Sequence, residues 1–270
     1  MEQIGSPQDK EMHFLDHIAV LRGHLIRMTI AIVICAIVAF VYRNFIFEEI
    51  ILASHHSDFI TFKALCKLSH TFNLGESLCI TDQNVKLQSV EMAGQFSTAL
   101  WAAFVIGFII SFPYILWELW RFIAPGLKEK ERKYSKGLVF YASTLFLFGV
   151  AFGYFVIIPL SVNFLGTFQV AIIVDNIITL SSYVSLVTNL ALSCGLVFEL
   201  PILVYFLAKL GLIDDVFMKT YRKHAVILTL VLAAIITPPD FLSQILVALP
   251  VWGLYEIGIK IAKVASKKQS

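Results

Sequence analysis

Six long apolar runs, at residues 28–42, 98–117, 137–158, 184–208, 225–236 and 241–259, constrain this chain more than any other feature. A helix needs about 20 apolar residues to cross about 30 Å of hydrocarbon. The second, third, fourth and sixth runs reach that length, and the first and fifth need residues from their flanks. The composition agrees: 58% hydrophobic and 15% charged, against about 45–50% and about 25% in ordinary soluble domains. A soluble core cannot hide so much apolar surface, so a soluble single domain is excluded. The expected fold class is all-α: a polytopic membrane protein with six transmembrane helices, spans five and six short or tightly paired.

Orientation follows from the positive-inside rule. All but four of the 21 lysines and arginines fall on the side that carries the N-terminus; the exceptions are Arg43, Lys63, Lys67 and Lys86. Both termini are therefore expected in the cytoplasm. The chain divides into an amphipathic N-terminal segment at 1–27, a large outer loop at 43–97 and a basic tail at 260–270, all within one membrane domain spanning 1–270. A polar segment with acidic groups precedes the first run, and no small-residue cleavage site follows it. That pattern predicts a retained anchor. The fifth run holds residues 225–236, about 18 Å of helix, too short to cross a bilayer straight.

The outer loop contains Cys66 and Cys79. In an oxidising compartment they form either a disulfide or a pair of free thiols. A metal site drawn from His55, His56, Cys66, His70 and Cys79 fits no zinc spacing, and neither a metal nor a cofactor is expected. There is no phosphate-binding glycine loop, no HExxH and no GxSxG, so the chain is not expected to be an enzyme.

Two carboxylates interrupt the runs. Glu199 lies inside the fourth and has no charge partner at i±3 or i±4. A lone charge there is costly, so Glu199 is expected to meet a polar group on another element or to be protonated. Pro201 removes a backbone donor one turn from Val197 and should kink the span at the same place. Glu256, in the sixth run near its cytoplasmic end, can reach the interface or pair with Lys260 one turn on. Thr237-Pro238-Pro239-Asp240 reads as a tight outer turn, with the Gln244 amide about one turn into the sixth run.

These residues belong to segments that resemble the TatC family of the twin-arginine protein translocase over nearly the whole chain. The matching pieces are Asp16-His17 with Leu21-Arg22; Phe112-Pro113; Trp120-Arg121-Phe122-Ile123-Ala124-Pro125-Gly126-Leu127 with Lys130-Glu131-Arg132; Phe198-Glu199-Leu200-Pro201; Thr237-Pro238-Pro239-Asp240 with Gln244; and Tyr255-Glu256-Ile257-Gly258. The resemblance implies a receptor in the bacterial inner membrane that binds twin-arginine signal peptides of folded precursors. It also implies single-span TatA- and TatB-type partners, self-association, contact with membrane lipid, no nucleic acid, and transport driven by the proton motive force.

By the resemblance, two carboxylates bind the arginine pair. One maps to Glu131. The other family position is Val20 here, so the second acid is expected to be Asp16, one turn earlier on a helix, or Glu129, beside Glu131. Arg22, Phe122 and Pro125 belong to the same segments. Glu199, Thr237 and Gln244 are the implied intramembrane and partner contacts, with Pro201, Pro238, Pro239 and Asp240 shaping them. A rival reading is a proton-coupled small-solute transporter using Glu199.

Overall fold

The computed structural model describes residues 14–55, 58–71, 87–123, 135–169, 171, 176–209, 211–238 and 241–267. Apolar runs with no water to bond must satisfy every backbone group internally, which in one segment means helix. Helix α1 (Phe14–Val41) leads into a short turn (Arg43–Phe45), a π-turn (Ile46–Ile51) and a 3-10 turn (Ala53–His55). Then come α2 (Ile60–Thr71), strand β1 (Leu87–Gln88), α3 (Gly94–Ile123), α4 (Ser135–Phe152), a π-turn (Gly153–Ile157) and α5 (Ile158–Thr167). Strand β2 (Ile178–Thr179), α6 (Leu180–Phe198), α7 (Leu200–Lys209), α8 (Asp215–Thr220), α9 (Arg222–Ile236) and α10 (Phe241–Lys267) complete the order.

Among the described residues, five stretches are long and apolar enough to cross a membrane: Ala19–Val41, Gly94–Ile123, Gly137–Thr167, Leu180–Lys209 and Ser243–Lys263. The fifth apolar run is α9, whose 15 residues rise about 22 Å, short of a straight crossing as expected. Its partner α10 is not short: it has 27 residues. The two are tied where Arg222 donates to Glu256 at 2.7 Å. That arginine, rather than Lys260, is the observed partner of Glu256, because the hairpin brings the start of α9 beside the far end of α10.

Two readings change at helix boundaries. Residues 14–27, expected as a separate segment, are continuous with the first span in α1. The third apolar run stops at residue 158, just before Pro159, yet the helix continues past that proline to Thr167. The π-turn at Gly153–Ile157 precedes the proline, and its shifted register accommodates a residue without an N–H.

Small residues set the spacing of the bundle. A Cβ on Gly107 of α3 would lie 2.6 Å from the Ala36 backbone nitrogen of α1, and one on Gly149 of α4 would lie 2.7 Å from the Cys194 carbonyl of α6. Backbones this close are how membrane helices gain packing without a hydrophobic driving force. Phe112 and Phe146 stack with centroids 3.5 Å apart, joining α3 to α4. One face of α1, including Ile30, Val33, Ile34 and Ile37, remains exposed.

The stretch between α1 and α3 packs as a layer where it is described. Tyr183 donates to the Ile51 carbonyl at 3.1 Å and takes Ser54 at 2.8 Å. Tyr154 donates to the Ile50 carbonyl, and Thr61 to that of Phe155. Strands β1 and β2 pair in parallel, Leu87 with Ile178 and Gln88 with Thr179.

Candidate functional site

The strongest polar cluster joins α1 to α3 at the end of the bundle that holds the N-terminal half of α1. His24 donates through Nδ1 to Glu118 Oε2 at 2.6 Å, and Tyr114 donates to Glu118 Oε1 at 3.1 Å. Arg27 Nη1 stands 3.7 Å from the same Oε1, an ion pair but too long for a hydrogen bond. Tyr114 and Glu118 are one turn apart on α3, and His24 and Arg27 are one turn apart on α1, so each helix presents two groups on one face. Glu118 is 1% exposed. Shielding a carboxylate is tolerated only with such partners, and a contact of 2.6 Å is in the charge-assisted range.

Sequence reasoning missed Glu118. It was legible as a carboxylate among apolar residues with a tyrosine one turn before it, but its partners lie on α1. The node brings in Phe122, an expected site residue, whose ring meets His24 edge-on at 5.8 Å. Arg22 is exposed on α1, and so is Val20, one turn before His24. Asp16 lies in the first turn of α1. Pro125, Glu129 and Glu131 lie outside the described residues, in the segment that leaves α3 just past Phe122.

Glu199 stands at the expected break. Helix α6 ends at Phe198, Glu199 caps it, and α7 begins at Leu200 with Pro201 second. The Glu199 N–H turns back to Leu196 at 3.2 Å, tightening the last turn. Its Oε1 is buried with no hydrogen-bond partner among the described residues. A groove of about 790 Å³ runs between α4, α7 and α10, past Phe148, Pro201, Tyr205, Leu254 and Lys260. Pro201 lines it and Glu199 does not.

Thr237 caps α9, buried, with its hydroxyl donating to the Ala233 carbonyl at 2.9 Å. Gln244 is half-buried and donates its amide to the Leu230 carbonyl at 3.3 Å. Pro238 is half-buried; Pro239 and Asp240 lie outside the described residues. Cys66, on α2, is disulfide-bonded, while Cys35 and Cys194 are free thiols; Cys79 lies outside the described residues.

A bundle of membrane-length helices joined through sparse polar nodes defines a polytopic membrane protein. The profile of the family described as Sec-independent protein translocase protein (TatC) matches residues 16–250. The TatC protein of Blattabacterium sp. subsp. Periplaneta americana is 41% identical over 263 residues, covering 97% of this chain and 99% of that one. That of Carboxydothermus hydrogenoformans is 35% identical and covers 97% of each chain. A crystal structure of a twin-arginine translocase receptor, TatC, superposes with a TM-score of 0.68 at 30% identity, covering 93% of this chain and 99% of that chain. The chain belongs to the TatC family and is a core subunit of the twin-arginine translocase. The small-solute transporter reading gains no support from these likenesses.

Proposed function

We propose that this subunit is the translocase's receptor for signal peptides carrying a pair of arginines, set in the bacterial inner membrane with both termini in the cytoplasm. The observation that carries the reading is the His24–Glu118–Arg27–Tyr114 node. It fixes the N-terminal half of α1 against the end of α3 from which the expected recognition segment departs. Receptors for a cationic motif need carboxylates on elements that do not drift.

Glu131 is the first carboxylate for the arginine pair, since a guanidinium forks onto a carboxylate where an ammonium cannot. Asp16 or Glu129 is the second, and Arg22, Phe122 and Pro125 shape the surface around them. Glu199, Thr237 and Gln244 meet transmembrane helices of TatA- and TatB-type partners, and copies of the receptor associate. The subunit binds and assembles, without catalysis, while the proton motive force drives transport. The Cys66–Cys79 disulfide closes the outer loop.

The test is co-purification from membranes in mild detergent. Single-span partners and twin-arginine precursors should accompany the tagged chain, and precursors with twin lysines should not. Equal recovery of both precursor types would contradict the reading.

A further inference from the structure

Val20, His24 and Arg27 follow one another at helical spacing on one face of α1. Val20 cannot offer a carboxylate. The carboxylate beside that face comes instead from α3, as Glu118, one turn along from Val20. Glu118 is buried, with the side chains of His24, Tyr114 and Arg27 around its carboxylate. The first is a short, buried contact. The last two are different: the Arg27 side chain is 53% exposed and stands at 3.7 Å, and Tyr114 is 36% exposed.

We propose that Glu118 is a carboxylate of the arginine-binding site, covered in the empty receptor by Arg27, which an incoming signal-peptide guanidinium displaces. The inference rests on the receptor reading above and extends it to a residue and a mode of gating.

Chemistry favours the exchange. One guanidinium replaces another, so the charge around Glu118 is conserved and no bare carboxylate remains. Arg27 gives up only a half-exposed pair, a contact worth little in water. The incoming arginine gains a hydrogen bond to Oε1 that Arg27 lacks. His24 stays on Oε2 and keeps the carboxylate aimed, so Oε1 is the exchanged atom. The newcomer reaches it past exposed Val20, whose short apolar side chain can lie along the arginine stem. Glu131 follows the same helix in sequence.

The test uses the full-length chain in lipid nanodiscs and a fluorescent twin-arginine signal peptide, with a twin-lysine peptide as the specificity control. Arg27→Gln should tighten twin-arginine binding several-fold by uncovering Oε1. Glu118→Gln should weaken it about tenfold, the scale of one hydrogen bond to a charged group. In the Glu118→Gln background, Arg27→Gln should change nothing. Arg27 is half-exposed, so its replacement keeps the test valid even where Glu118→Gln folds poorly. Binding by Arg27→Gln that is unchanged or weaker overturns the proposal. If wild type prefers arginine over lysine and Glu131→Gln weakens binding while Arg27→Gln does not strengthen it, only the Glu118 assignment falls. If wild type does not distinguish the two peptides, the receptor reading falls with it.

Discussion

His24 and Glu118, 94 positions apart, meet at 2.6 Å and fasten the first helix to the end of the third. Their contact is shielded from solvent on both sides, so each is the other's answer to desolvation. His24→Ala should leave Glu118 Oε2 without its donor and destabilise the protein by about 1.5–3 kcal/mol. Replacing both residues with leucine should recover much of that loss, because an apolar pair leaves no stranded charge. Thermal unfolding of the single and double variants in one detergent checks the coupling.

The α1–α3 contact depends on glycine at one point. Gly107→Ala would set a Cβ 2.6 Å from the Ala36 backbone nitrogen, where neither chain can yield as a flexible side chain would. The helices must then part, at about 1–3 kcal/mol. Gly23→Ala meets nothing within 4 Å and should be neutral or slightly stabilising, as alanine is the better helix former. Melting temperatures of the two variants should move in opposite directions or differ by several degrees, with Gly107→Ala the lower.

Glu199 stands at a helix break, two residues before Pro201. Glu199→Ala should preserve the fold, since Pro201 remains to interrupt the helix and a buried unpaired oxygen is removed. Export of twin-arginine precursors should fall, together with crosslinks to partner helices. Vesicle transport assays beside a melting curve separate the two effects; full export with unchanged crosslinks would leave Glu199 a structural role alone.

The thiol inventory is countable. Of the four cysteines, Cys35 and Cys194 are free and Cys66 is bonded. Denatured, unreduced protein should accept an alkyl group at Cys35 and Cys194 only, and at Cys66 and Cys79 as well after reduction. Intact mass spectrometry reads the difference, and modification of Cys66 before reduction would contradict the pairing.

Much of the architecture was legible because bilayer physics is local. Apolar length located the spans, Pro201 located the break at Glu199, and the 12 residues of run 225–236 already marked the helix that became α9. What escaped were partnerships across the fold. Glu118 pairs with α1, and Glu256 with Arg222 rather than its own-helix neighbour Lys260; neither is written in periodicity. Pro159 misled for another reason: a π-turn before it absorbs the missing donor, a device with no sequence signature. The layer between α1 and α3 depends on β1 meeting β2 and on Tyr183 reaching Ile51 and Ser54, contacts that composition cannot reveal. Of the polar node between α1 and α3, the flanking segments with Phe122 and Arg22 were singled out from sequence, whereas Glu118 needed the packed helices.

The most direct measurement of the central claim is site-specific crosslinking in native membranes. A photoreactive residue placed beside the arginine pair of a signal peptide should label the N-terminal half of α1 and the segment carrying Glu131. Glu131→Gln should sharply reduce that labelling, and so should exchanging the arginines for lysines. Undiminished labelling with both changes, or labelling confined to the layer around Tyr183, would contradict the account.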